Sequence, residues 1–142
     1  MDTKQLQLIA EQNRKRLVEV VYAAKAGHIG GDLSCLNVMT ALYFHVMNGL
    51  DPKDPKAPLR DRFVLSKGHC VESLYVTLEA KGYLKPEVLD TLGQFGSILS
   101  GHPTIEYQAS RSTQEHSDMV CPSVWAWLSL QKWTNSHGAP MS

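Results

Sequence analysis

An α/β layered fold is the class this sequence predicts, on three observations. Apolar residues recur at helical spacing in several stretches before residue 95, one short run (RFVLS, residues 62–66) reads as a strand, and that run hands off into a glycine-containing loop before another helix. The signals are not spread evenly. Nine of the ten glycines lie between Gly27 and Gly101, and Trp125, Trp127 and Trp133 fall in the last eighteen of the 142 residues. The regular punctuation stops after Glu106, so residues 1–106 and 107–142 are read separately.

The first helix is expected over residues 5–25, where Leu6, Ile9, Ala10, Leu17, Val20, Val21 and Ala24 form a stripe, with Gly27 as its C-terminal cap. Ser34 can cap a second helix over residues 36–48. Its apolar residues (Val38, Met39, Ala41, Leu42, Tyr43, Phe44, Val46, Met47) lie almost all round, which predicts burial, with His45 structural inside it and Gly49 ending it. Three prolines in residues 51–58 dictate a loop. After the strand and Lys67-Gly68-His69, a third helix places Val71, Leu74, Tyr75 and Leu78 on one face, and Gly82 closes it. Pro86 suits the first turn of a fourth helix reaching about Phe95, and Gly101-His102-Pro103 is a tight turn.

Composition excludes several classes. Fourteen Lys+Arg balance fourteen Asp+Glu, leaving no basic excess for nucleic acid, and 43% hydrophobic with 20% charged residues is a globular balance. No apolar run is long enough to span a membrane, and the charged amphipathic start is not a signal peptide. Cys35, Cys70 and Cys121 are too few and scattered for a disulfide framework or zinc knuckle. A soluble, cytoplasmic protein is expected.

Three of the six histidines share a setting. His28 lies in Gly27-His28-Ile29-Gly30-Gly31, His69 follows Lys67-Gly68, and His102 sits between Gly101 and Pro103. Glycine beside histidine strips away shielding and lets the backbone approach a ligand. A strand-to-helix loop is also where α/β folds bind anions through free N–H groups, so a phosphate-bearing ligand near His69 is expected. The bland alternative is a set of satisfied turn histidines. No His-x-x-x-His, Cys-x-x-Cys or carboxylate pair accompanies them, which disfavours a metal, and Cys35 and Cys70 lack an evident base and read as small buried residues. The glycines of residues 27–31 do not spell G-x-G-x-x-G and follow no strand, against a Rossmann site.

With GHIGGDLS (27–34), ALYFHVMN (41–48), RDRFVLSKGH (60–69) and GHP (101–103) in this order, the chain resembles the N-terminal, cofactor-binding part of transketolase, especially its two-subunit form. One departure is Asn37, where the family usually carries an acidic residue. The resemblance implies an incomplete thiamine-diphosphate-binding fold, with helices and the start of a parallel sheet. It also implies transfer of a two-carbon ketol unit between sugar phosphates, thiamine diphosphate as cofactor, and magnesium (or calcium) in the intact protein. His69, with Gly68 and Lys67, would then meet the cofactor near its diphosphate. His28 and His102 would line the substrate channel and serve catalysis, a role suited to a group titrating near working pH. A C-terminal transketolase subunit would be the partner, in a dimer or heterotetramer. Two alternatives stand beside this: a non-catalytic interaction or decoy module binding that partner subunit, and a deoxyxylulose-phosphate synthase, which SKGH fits less well.

The family's Gly-Asp-Gly metal segment does not occur in this sequence, nor does the T-G-x-L-G-x-G loop expected soon after GHP. The genetic code suggests why. Residues 113–119 can be encoded ACA CAG GAG CAC TCG GAC ATG, which from the third base read Thr-Gly-Ala-Leu-Gly-His and continue into Gly. The same shift permits Ile-Pro-Gly-Ile-Glu-Val-Asn upstream and Leu-Pro-Ile-Cys-Val-Gly-Met-Ala-Leu-Ala-Ala-Lys downstream, the family's continuation without a gap. Loss of one A from a GAAATA run at Glu106 is sufficient. Residues 107–142 are therefore expected to be an out-of-frame tail, and the fragment to be inactive and poorly stable.

Overall fold

A computed structural model describes residues 1–101 apart from Lys56 and Val64. Helix α1 (Thr3–Ala24) starts where a reciprocal capping box ties Asp2 to Gln5: the Gln5 N–H donates to Asp2 Oδ1 at 2.7 Å, and the Asp2 N–H donates to Gln5 Oε1 at 3.1 Å. Asn13, Leu17 and Val20 bury one stripe of it. The helix ends on Lys25, which takes the left-handed conformation (φ 53°) in place of the expected Gly27 cap.

Helix α2 (Ile29–Ala41) begins seven residues before the expected start, with His28 rather than Ser34 as N-cap. Gly30 and Gly31 are thus helical, and tertiary contacts explain why: Gly31 is packed against Cys70 and Asp32 is bonded to Ser73. Asp32, Leu36, Met39 and Thr40 form its buried face. The helix runs into a π turn (Leu42–Val46), where the Met47 N–H reaches back to the Leu42 carbonyl at 2.8 Å. Burial all round is not found. Val38 is 60% exposed, and Val46 and His45 are exposed too, so His45 is not a core residue.

The proline-rich loop closes where Asn48 and Asp61 bond reciprocally. The Asp61 N–H meets the Asn48 carbonyl at 2.9 Å, and the Asn48 N–H meets Asp61 Oδ2 at 2.9 Å. The expected strand at 62–66 is absent among its described residues, and with it the start of a sheet. No strand or bridge forms among the described residues, and Leu65 and Phe63 instead pack into a side-chain cluster. The described architecture is therefore helical.

A 3₁₀ turn (Gly68–Cys70) leads into α3 (Val71–Lys81), the central helix, buried at every residue from Val71 to Leu78. It closes on Gly82 as expected, at φ 94°. Helix α4 (Pro86–Leu89) has Pro86 in its first turn but stops well before Phe95, the chain continuing in successive i→i+3 turns through Thr91, Leu92 and Gln94.

Helices α1, α2 and α3 pack on one another. One core cluster joins Leu17, Leu36, Val71, Tyr75 and Leu89; a second joins Met39, Tyr43, Leu65, Leu74 and Leu78. The buried faces of these helices cover one another. No helix among the described residues is long and apolar enough to cross a membrane.

Candidate functional site

The start of α2 and the start of the 3₁₀ turn before α3 face one another, because Leu36 of α2 and Val71 of α3 share a core cluster. His28 caps the first and is exposed; His69 lies in the second and is half-buried. Their rings meet edge to face, with centroids 5.2 Å apart and planes at 69°. Two of the three histidines singled out from the sequence are therefore brought together. His102 lies outside the described residues, as do the tail and its expected reading frame.

Lys67, expected near the cofactor, is exposed but turned towards α2, its Nζ donating to Ser34 Oγ at 3.2 Å and to the Gly31 carbonyl at 3.4 Å. Ser34 Oγ itself donates to that carbonyl at 2.6 Å. Gly68 opens the 3₁₀ turn and is half-buried. Gly31 completes the fit: a Cβ there would stand 2.8 Å from Cys70 Sγ. Cys70 is wholly buried, and burial pushes its thiol above the ordinary range, partly opposed by a hydrogen bond from Lys67.

Beneath the histidines lies a pair that the sequence reading did not single out. Asp32 is 0% exposed, and its Oδ1 accepts from the Ser73 N–H at 3.1 Å and from Ser73 Oγ at 3.0 Å. Ser73 Oγ also approaches the Asp32 carbonyl at 2.8 Å. The signal was available: Asp32 is the one Asp, Glu, Lys or Arg between Lys25 and Asp51, inside an otherwise uncharged stretch. A lone carboxylate there must be buried against donors or mark a surface turn.

Residues 5–115 match the protein family described as transketolase, thiamine diphosphate binding domain. The chain belongs to this transketolase family. Its relatives include one of the subunits of the apulose-4-phosphate transketolase of Phocaeicola vulgatus, 72% identical over 106 residues that make up 75% of this chain and 37% of the relative. The 6-deoxy-6-sulfo-D-fructose transketolase subunit SqwG of a Clostridium species is 44% identical over 104 residues, 72% of this chain and 38% of that subunit. Human transketolase is 37% identical over 105 residues, 72% of this chain and 17% of the human protein. The chain thus spans well under half the length of these relatives.

The donor set fits the anionic end of this transketolase domain's cofactor. The His28 and His69 imidazoles, which can donate hydrogen bonds, meet where α2 and the 3₁₀ turn begin, and exposed Lys67 stands two residues before His69 in sequence. The space beyond Gly30 is open, a Cβ there meeting nothing within 4 Å. A metal is a different matter. No group of three or more His, Cys, Asp or Glu among the described residues could hold one.

Proposed function

We propose that this chain is the N-terminal, cofactor-binding part of a transketolase that moves a two-carbon ketol unit between sugar phosphates with thiamine diphosphate. The observation that carries this reading is the His28–His69 ring contact at the mouth of two N-terminal helical turns, in a chain of this family. When bound, the cofactor supplies the electron sink for the ketol carbons. The protein's share is binding, orientation and proton handling. His69, with the Gly68 and Lys67 backbone, holds the diphosphate end by donating hydrogen bonds to its oxygens. His28, exposed beside it, and His102 hydrogen-bond the substrate hydroxyls, giving or taking a proton at an imidazole nitrogen. Sugar phosphates are the substrate class, which accords with the name of the 72% identical relative.

The activity requires more than these residues. Magnesium or calcium would be held by a Gly-Asp-Gly segment that this sequence lacks, and a C-terminal subunit would complete the site in a cytoplasmic dimer or heterotetramer. Residues 1–106 form the transketolase portion and residues 107–142 the out-of-frame tail, so this chain is inactive by itself.

The test compares the chain with one whose reading frame is restored after Glu106, each titrated calorimetrically with thiamine diphosphate and magnesium in the presence of a C-terminal subunit. The restored chain binds with metal dependence, His69→Ala weakens that binding, and the present chain shows none. In the restored enzyme His102→Ala slows ketol transfer while leaving cofactor binding mostly in place. A restored chain that binds no cofactor overturns the reading, and a gene whose nucleotides do not support the shifted frame overturns the account of the tail. A second reading, a decoy that occupies the partner subunit, is favoured by exposed apolar side chains on the described surface, Tyr22, Val38 and Leu59 among them. Capture of the C-terminal subunit by the present chain without cofactor supports it.

A further inference from the structure

The two histidines sit on separate elements, and their rings touch only edge to face at 5.2 Å. Such a contact is too weak to hold two helices in register. Their separation follows from the ties between the elements that carry them, which are the exposed Lys67 bonds to Gly31 and Ser34 and the buried Asp32–Ser73 pair.

Asp32 lies where that control would have to be exercised. It is in the first turn of α2, and its own N–H is bonded to the His28 carbonyl at 3.0 Å, so its placement governs the backbone that carries His28. Its side chain reaches across to Ser73, four residues beyond His69, and bonds the N–H of the third residue of α3. That N–H belongs to the group left without intrahelical partners at a helix start, so Asp32 caps α3 from another helix. The carboxylate stands in the first turn of its own helix and at the start of α3. Both ends present partial positive charge, which lets a buried acid remain there. The Ser73 hydroxyl doubles the tie through Oδ1 and the Asp32 carbonyl. The second carboxylate oxygen, Oδ2, is buried with no hydrogen-bond partner among the described residues, so all of the side chain's bonding is committed to this one junction.

We propose that Asp32 is a positioning residue whose bond to Ser73 sets the distance and angle between His28 and His69. Its importance for cofactor and substrate handling rests on the function proposed above, but the geometric role does not. Alanine removes the acceptor and frees the two turns to separate. Asparagine keeps one acceptor oxygen for the Ser73 N–H and hydroxyl, so it retains the junction while losing the charge.

The experiment is nuclear magnetic resonance on the full chain with isotope-labelled histidine, reading the nuclear Overhauser cross-peaks between the His28 and His69 ring protons without any cofactor. Asp32→Ala loses these cross-peaks, Ser73→Ala weakens them, and Asp32→Asn retains them. Leu89→Ala, a core variant in α4, destabilises the chain at a distance and retains them while folded, which separates positioning from general loosening. Should Asp32→Ala prevent folding, Ser73→Ala against Leu89→Ala decides by the same readout. Wild-type cross-peaks in Asp32→Ala, or in Ser73→Ala where that variant decides, overturn the proposal. So does an equal loss in Asp32→Asn or Leu89→Ala. Failure of the cofactor reading would appear only in the calorimetric titration, which this measurement does not share.

Discussion

Arg16 of α1 grips Glu79 of α3 through two nitrogens: Nε lies 3.2 and 3.0 Å from the two carboxylate oxygens, and an Nη lies 2.9 Å from Oε1. The same Nη meets Asp90 at 2.7 Å, just after α4, so one guanidinium joins three segments. These bonds hold its pKa above the ordinary arginine range, Glu79 contributing most. The Glu79 side chain is 13% exposed and that of Asp90 61%, so the two acids should not matter equally. Arg16→Ala strands the less exposed carboxylate and is expected to cost about 1–3 kcal/mol, whereas Asp90→Ala should cost under about 1 kcal/mol. Urea unfolding followed by helical circular dichroism measures both.

Lys25 is the one described non-glycine residue with positive φ, at the point where α1 must turn towards His28. A side chain there crowds the backbone, and glycine does not. Lys25→Gly should therefore stabilise the chain by about 0.5–1 kcal/mol, although glycine in the unfolded chain offsets part of the gain. A lower urea midpoint in this variant would show that the lysine stem makes a contact outweighing the strain.

These two sites mark how far the sequence could be read. Helix α1 was legible because Leu17 and Val20 repeat at helical spacing, and Gly82 because a helix stop favours glycine. The start of α2 was not, since His28-Ile29-Gly30-Gly31 has the local chemistry of a bend and is made helical by Cys70 and Ser73, some forty residues away. His45 was misread for a related reason: apolar residues all round a helix do not say which face finds a neighbour. His28 and His69 stood out by their glycine-flanked settings, but the contact between their rings has no signal in local spacing, because it is made across separate elements. Asp32 was overlooked because glycine-flanked histidines carry a more familiar chemical signal than a lone acid.

Alkaline pH should loosen the fold in two steps. Burial raises the thiol pKa of Cys70 and the phenol pKa of Tyr43, which means the folded chain holds each proton more tightly than the unfolded chain. The unfolded state then binds fewer protons once pH passes its ordinary values, about 8.5 for a thiol and about 10 for a phenol. Stability is full below those values and falls as pH climbs towards the raised folded ones. Cys70→Ala should remove the first decline and Tyr43→Phe the second. Urea midpoints measured across the alkaline range test this, and unchanged slopes in both variants would count against it. The same burial predicts that a thiol reagent reacts with half-buried Cys35 well before Cys70.

Neighbouring glycines in the first turn of α2 should respond in opposite directions to one methyl group. At Gly30 a Cβ meets nothing within 4 Å, so alanine gains helix propensity without a clash, and Gly30→Ala should stabilise by about 0.5–1 kcal/mol. At Gly31 the same propensity gain is set against a Cβ 2.8 Å from Cys70 Sγ and 3.3 Å from Lys67 Nζ. The lysine end is exposed and can move away. The sulfur cannot, because Cys70 is wholly buried on a short side chain held between α2 and α3, so the overlap must be relieved by parting the two helices. Overpacking of this kind costs about 1–3 kcal/mol, more than the propensity gain, and Gly31→Ala should be destabilising. Adding Cys70→Ala removes the obstructing atom, and the double variant should regain most of the loss. A double variant no better than Gly31→Ala alone would place the clash on the lysine instead, and the close approach of the two turns would then have another cause.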